Sequence, residues 1–429
     1  MGADVIVVGA GYGGLTAAAV MAHNGLEVEV LEATGHLGGR AAFDRKDGFL
    51  VDYGIHANRY AAEGGAAAAM REISYEIDFV SMGEPQLYRE GSFVPLPTSV
   101  PQFLKAPFLS AGDKLVMVGD MLKLVTARYD HIVDVPLEKA VWGTGRRELG
   151  PLFRLLSGIG LVAPDISTTS AGDFAVFLKK ALRAKETVGY PRGGTSQIIE
   201  VLRKKVEESG KITLNSRVRS LDIRDGRVRS VKVKDTDMET KAVVFAVPLQ
   251  KFAEIAGVSL EEGFARKCAS LVPTAGVSVD LCLSEKVSDI DGLVVTPDPV
   301  TMGQFTSNFD PSTAPEGKQL ATFYYPLPVE TMEDRDAVEV EEKRLDSLLA
   351  LMFPGIMDKV EWRRSLALKM VDGFEPRVGQ TARDRPGVVA PGVENLFLAG
   401  DTVSAPGNGG DVAFSSAVEA ARHVAAFLK

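Results

Sequence analysis

Val5-Ile6-Val7-Val8-Gly9-Ala10-Gly11-Tyr12-Gly13-Gly14 decides the fold. Its four apolar residues do not alternate with polar ones, which suits a parallel strand covered on both faces, and the small apolar run at 15–22 suits a helix packed closely on it. Between them Gly9, Gly11 and Gly14 have the G-x-G-x-x-G spacing, with Ala10 and Gly13 in the same turn. The first glycine permits a tight turn, the second lets backbone approach a pyrophosphate, and the third lets helix and strand pack closely. A phosphate placed there faces the helix N-terminus, whose free N–H groups and dipole favour negative charge. Glycine is common in this chain, 43 of 429 residues, so the spacing alone is a weak signal. The next strand, at 27–31, ends at Glu32, within the roughly 20-residue spacing at which an acid accepts hydrogen bonds from ribose hydroxyls.

Composition narrows the class. With 429 residues, 45% of them apolar, the chain can bury a large core and form two or three domains. The formal net charge of −9, with Lys and Arg spread among acids, leaves no basic field for phosphate backbones, so nucleic acid is not an expected partner. Cys268 and Cys282 lie far apart and fit no metal-ligand spacing, and the five histidines form no H-x-x-x-H pair, so neither a metal site nor a disulfide framework is expected. The chain opens on a buried strand with no basic, apolar leader, and no apolar run approaches the roughly 20 residues that span a bilayer. A reducing, cytoplasmic location is the expectation.

The stretch after Glu32 makes the signature specific. Gly35-His36-Leu37-Gly38-Gly39-Arg40 resembles the G-G-R segment of the flavin amine oxidase and phytoene dehydrogenase superfamily. The resemblance implies that Arg40 meets the FAD pyrophosphate and that Gly38 and Gly39 let the chain pass close to the flavin. Phe49-Leu50-Val51-Asp52-Tyr53-Gly54-Ile55-His56 resembles the family's D-x-G-x-H-type element, which implies that Gly54, Ile55 and His56 line the isoalloxazine ring. Imidazole titrates near neutrality, so His56 is a candidate hydrogen-bond partner of the flavin or a proton carrier.

Beyond residue 60 the nucleotide character fades into helical stretches at 64–73, 113–129, 137–142, 149–159 and 171–184. The segment 93–110 carries Pro95, Pro97, Pro101 and Pro107 among apolar residues, which forbids a long regular helix. It reads as a buried lid over a substrate tunnel in preference to a peripheral membrane patch, because no Lys/Arg face accompanies the apolar one. Tyr190-Pro191-Arg192-Gly193-Gly194 before a helix at 195–209 resembles another family turn. Strands follow at 211–214, 217–224, 227–234 and 240–247, with a tight hairpin at Asp225-Gly226. The resemblance places the adenine beside Val218. Strands at 277–283 and 320–325 and an amphipathic helix at 338–351 come next, and Tyr324 or Tyr325 is a candidate to face the substrate.

The closing strand ends in Gly400-Asp401, which the resemblance puts on a ribityl hydroxyl, and Gly410-Asp411-Val412 opens a helix whose N–H groups are implied to face the flavin. The implied fold class is α/β. It has a Rossmann-like, GR2-type FAD-binding domain from 1–60, 190–250 and 386–429, with an α+β substrate-binding domain, 61–189 and 251–385, inserted. Ser404-Ala405-Pro406-Gly407 holds neither the cysteine nor the aromatic residue of the amine oxidases, so FAD is expected to be non-covalent. Pro406-Gly407 and Gly409, followed by Ser416-Ala417, resemble the phytoene dehydrogenase ending. The resemblance therefore implies an FAD-dependent oxidoreductase that desaturates, saturates or isomerises a carbon–carbon bond of a hydrophobic, isoprenoid-like substrate by hydride transfer at flavin N5. His56 and Asp411 are the candidate proton acceptors. The electron acceptor, oxygen or a quinone among others, is left open. A flavin amine oxidase, a protoporphyrinogen-type oxidase and a flavin-free prenyl-binding protein resembling Rab GDP-dissociation inhibitors are the alternatives.

Overall fold

In the computed structural model, which describes residues 3–257 and 262–429, Val5–Val8 is the central strand of a five-stranded parallel sheet. The order is Lys211–Thr213, Val28–Leu31, Val5–Val8, Ala242–Phe245 and Leu396–Leu398. None of the four central residues is more than 3% exposed. The reason is the layer of helices: Tyr12–His23 packs against both Thr195–Glu207 and Gly410–Phe427. Its alanines, Ala17 to Ala19, are fully buried and short enough to let those neighbours close in. The hairpin turn has positive φ at both Asp225 and Gly226, the geometry that matches the strand twist.

A seven-stranded sheet forms the other half, in the order Val360–Leu368, Ala275–Leu283, Gln319–Leu327, Val300–Phe305, Val294–Pro297, Gln86–Arg89 and Ser92–Pro95. All nine residues of Ala275–Leu283 are buried, so this strand is covered on both faces. Val277, Leu281 and Leu283 pack with Leu345 and Leu349 of the helix Arg335–Met352. Cys282, on the opposite face, packs with Phe49 and Val51 of the hairpin Phe43–Asp52. A third core joins the helices Ala111–Thr126, Leu149–Leu161 and Ala171–Ala181 to the sheet through Val300, Met302 and Tyr324. Residues 93–110 are more regular than a bare loop. They complete the edge strand Ser92–Pro95, form the helix Val100–Lys105, and tuck Leu96 and Phe103 into that core. Among the described residues no helix is long and apolar enough to cross a membrane.

One half-buried cation ties the hairpin to the seven-stranded sheet. Arg364 donates Nε–H to Asp280 at 2.8 Å, Nη1–H to Asp44 at 2.7 Å and Nη2–H to the Asp52 carbonyl at 2.6 Å. Asp280 is fully buried and also accepts the Thr322 hydroxyl at 2.8 Å. Burial pushes its carboxyl up to about 6, against the pull of Arg364 and Thr322. Replacing Arg364 by Met strands that carboxylate and is expected to cost about 3–5 kcal/mol in urea unfolding. The pH dependence has a fixed sign. The folded value lies above the unfolded 3.8, so the stability from protonated Asp280 is whole below that value and is lost as pH rises through about 6. Asp280→Asn is expected to flatten the stability–pH curve across that window.

Candidate active site

A cavity of about 1370 Å³ runs along the C-terminal ends of the parallel strands, the place where open α/β sheets bind ligands. Gly9, Ala10, Gly11, Gly13, Glu32, Gly38, Gly39, Arg40, Gly54, Ile55, His56, Val218, Gly400, Asp401, Gly410 and Asp411 all line it. Gly14 and Val412 do not line it. A Cβ at Gly14 would overlap the Gly9 carbonyl oxygen, so this glycine serves the contact between strand and helix. The Val412 side chain is fully buried and its N–H donates to the Gly409 carbonyl at 3.0 Å, because the first helical turn is tight.

The other glycines show what the cavity admits. Gly11 has φ −78° and ψ −175°, extended backbone that any residue adopts, and a Cβ there would come no closer than 3.8 Å to the protein. A Cβ at Gly410 would meet nothing within 4 Å. Neither backbone strain nor internal packing requires a glycine at these positions. What their missing side chains leave is open cavity at two helix N-termini, the space a pyrophosphate and a flavin edge need.

Glu32 anchors the glycine turn. It is 8% exposed, and its carboxylate accepts the Ala10 N–H at 2.8 Å and the Thr34 N–H and hydroxyl at 2.8 and 2.9 Å. Arg40 and Asp401, expected on separate parts of the ligand, pair with each other through two hydrogen bonds of 2.7 Å. Arg40 also donates to the Val371 carbonyl, and Asp401 accepts the Gly373 N–H at 2.6 Å. Burial works to raise the Asp401 carboxyl, but Arg40 and the Gly373 N–H outweigh it and hold it below the usual carboxylate range.

The two candidate proton acceptors differ. His56 has Nε2 at 3.1 Å from the Tyr53 carbonyl. A carbonyl only accepts, so Nε2 carries the hydrogen and Nδ1 is the basic nitrogen of the neutral ring. Asp411 is half occupied: Oδ1 accepts the Gly65 N–H at 2.9 Å, while Oδ2 is sealed from solvent, accepts no hydrogen bond among the described residues, and lies 3.6 Å from the Lys180 ammonium, which sits over the Tyr60 ring. Burial raises its carboxyl while Lys180 and Arg59 oppose the rise.

Beyond Ile55 the cavity continues as an apolar arm walled by Leu96, Phe103, Met121, Leu156, Phe174, Leu178 and Met302. Tyr324 joins this wall and donates its hydroxyl to the Ala275 carbonyl at 2.7 Å. Tyr325, on the opposite face of the sheet, accepts from Arg344 instead. Arg59, Tyr60 and Asp372 also line the cavity and carry no motif. The one local signal at Asp372 is the following Gly373, and that pair reads as an ordinary turn.

Comparison with known proteins agrees with this geometry. The family model described as flavin containing amine oxidoreductase matches residues 12–425. Over 156 residues, 34% of this chain, the sequence is 34% identical to the mitochondrial protoporphyrinogen oxidase of Nicotiana tabacum, covering 29% of that protein. Over 53 residues, 12% of this chain, it is 51% identical to the zeta-carotene-forming phytoene desaturase of Myxococcus xanthus, covering 10% of it. The chain thus spans less than a third of the length of either relative in these matches. An oxidoreductase structure from Methanosarcina mazei shares the fold, with TM-score 0.78 and 20% identity over 96% of this chain and 98% of that one.

The contrast between two glycines yields a test. Gly11→Ala is expected to leave the apoprotein's unfolding midpoint within about 0.5 kcal/mol of wild type, while the purified protein loses its visible flavin absorbance. Gly14→Ala is expected to destabilise the apoprotein itself by about 1–3 kcal/mol or more. Equal FAD occupancy in Gly11→Ala and wild type would remove Gly11 from the site.

Proposed function

The chain belongs to the flavin-containing amine oxidoreductases and is an FAD-dependent oxidoreductase, and on that premise we propose that it dehydrogenates a carbon–carbon bond of an apolar, isoprenoid-like substrate. The observation that carries this reading is the arm. Its wall from Leu96 to Met302 is hydrocarbon and aromatic, and three carboxylates nearer the glycine turns already have partners. Glu32 holds backbone N–H groups, Asp401 holds Arg40, and one oxygen of Asp411 holds the Gly65 N–H. An ammonium substrate would find no carboxylate among the arm residues to offset its desolvation. The short, 51% identical match to a phytoene desaturase supports the same substrate class.

FAD, when bound, supplies hydride acceptance at N5. The chain's own residues do the rest. Glu32 receives the ribose hydroxyls, Gly11 and Gly13 admit the pyrophosphate to the helix N-terminus, and Val218 borders the adenine. Gly54, Ile55 and Gly410 border the ring, and the Arg40–Asp401 pair lies over the polar middle of the molecule. The N-terminal field of Gly410–Phe427 favours negative charge that develops at the ring edge. His56 Nδ1 takes the proton left on the substrate carbon. The arm shuts out water while both hydrogens leave. No aromatic residue or cysteine stands at 404–407, and neither cysteine of the chain lines the cavity, so the cofactor is held by these contacts alone.

A porphyrinogen is the second reading, favoured by the longer, 156-residue match to a protoporphyrinogen oxidase. Anaerobic titration of the bound flavin's visible absorption with a linear polyprenoid, a porphyrinogen and a diamine separates the cases. Bleaching by the polyprenoid is the expected result; bleaching by the porphyrinogen alone, or by the diamine alone, replaces the proposal. His56→Gln is expected to slow that bleaching by roughly 10²–10⁴-fold with FAD content unchanged.

A further inference from the structure

Behind the large cavity lies a chamber of about 10 Å³, close to the smallest space that holds one water. Arg59 and Asp372 line both spaces and form the wall between them. Arg385, Asp173 and Asn408 complete the polar lining of the chamber. Its most unusual member is Arg385. The residue is only 8% exposed, yet among the described residues its guanidinium makes no hydrogen bond and no ion pair, and Nε is sealed without a partner. The Phe374 ring, 4.2 Å from it, offers a face but no acceptor. Asp372 has the complementary deficit: its N–H donates to Thr274, but among the described residues its carboxylate accepts no hydrogen bond. Arg59 donates to the Asn408 carbonyl, at 3.5 Å.

Buried charges are stable only with polar partners, and a polar chamber of this size is where an ordered water supplies them. The local charges decide what the occupant is. Arg59 and Arg385 balance Asp372 and Asp173, and the neighbouring Arg40 and Asp401 neutralise each other. An added anion or cation would meet like charge with no surplus to offset it, whereas water both donates and accepts. On the far side Asp173 accepts the Tyr129 hydroxyl at 2.8 Å, and Tyr129 is part-exposed.

We propose that the chamber is a resident-water site and that Asp372, this water and Asp173 form the route by which protons pass between the large cavity and solvent. A proton from the cavity forms an O–H bond on Asp372. That bond breaks as the water oxygen accepts the proton, another O–H of the water breaks as Asp173 accepts its hydrogen, and Asp173 releases it on the Tyr129 side. No electrons move in this relay. Burial raises both carboxyls, Asp372 against Arg59, Arg40 and Arg385 and with Asp401, Asp173 against Tyr129 and Arg385, which suits groups that take up and release protons. The transport role rests on the reading of the large cavity as the flavin and substrate site; the water site does not.

Two measurements test the proposal separately. A high-resolution crystal structure of the FAD-loaded protein is expected to show one water within hydrogen-bond distance of both Arg385 and Asp372. A direct Arg385–Asp372 ion pair with the chamber closed, or an ion in place of water, would overturn the site. Flash photoreduction of the same protein with a pH-indicator dye reads proton uptake against electron arrival. Asp173→Asn is expected to slow uptake at least tenfold while the optical rate of flavin reduction and the FAD content stay at wild-type values. Asp173 lines the chamber and not the large cavity, so its variant separates the route from cofactor binding. Wild-type uptake in Asp173→Asn would overturn the route, and failure of the wild-type protein to bind FAD would instead sink the reading of the large cavity.

Discussion

The whole arrangement depends on one steric contact, the approach of the helix Tyr12–His23 to the end of strand Val5–Val8 where Gly14 lies against the Gly9 carbonyl. No side chain fits between them. That contact fixes the distance from sheet to helix, and with it the point at which the helix N-terminus opens on the cavity. Glu32 then locks the turn from the neighbouring strand through the Ala10 N–H, so the same carboxylate that borders the cavity also holds the backbone that shapes it. Two elements of the sheet are thereby committed to the ligand's geometry before any ligand is present.

The second sheet reaches this frame through Arg364. Its three hydrogen bonds grip Asp280 from the sheet and Asp44 and the Asp52 carbonyl from the hairpin, and its guanidinium lies 4.5 Å over the Tyr53 ring. Asp52 is held independently, by the Thr195 hydroxyl and N–H and by the Tyr190 hydroxyl. Tyr53, Gly54, Ile55 and His56 therefore leave a rigid anchor, and His56 inherits its ring orientation from the Tyr53 carbonyl. Positioning of this quality is what lets a weakly basic imidazole act on a carbon-bound hydrogen.

Legibility in the sequence followed the range of the physics. Steric rules at Gly9, Gly11 and Gly14 act within a few residues, and the strand, turn and helix they imply stand in the structure. The parallel strands were legible because burial on both faces leaves unbroken apolar runs such as Val28–Leu31 and Ala242–Phe245. Strand Val360–Leu368 was not, because Arg363 and Arg364 interrupt its pattern, and the partners of Arg364, Asp280, Asp44 and Asp52, lie elsewhere in the chain. The same limit hid Arg59, Asp372 and Arg385. Nothing local distinguishes them from surface residues, and only the tertiary fold brings them around one chamber. Asp411 was legible from its place in a glycine-rich helix start, but its bond to the Gly65 N–H and the nearby Lys180 come from distant parts of the chain.

Charge explains why the cavity divides into a polar and an apolar half. Ionised groups taken from water need partners, and Glu32, Asp401 and Asp411 find them in backbone N–H groups, Arg40 and Lys180. Once those pairs are made, the polar half presents hydrogen-bonding geometry with little net field, suited to a cofactor that brings its own phosphates to the helix N-terminus. The arm residues Leu96, Phe103, Met121, Leu156, Phe174, Leu178 and Met302 carry no charged or hydrogen-bonding side chain, so an apolar molecule can displace water from them at no polar cost. The boundary between the halves runs past His56 and Asp372, which, like Oδ2 of Asp411, keep hydrogen-bonding capacity that the described residues do not use. A reaction that separates two electrons from a proton belongs at that boundary, where a hydrocarbon bond lies within reach of groups able to hold charge.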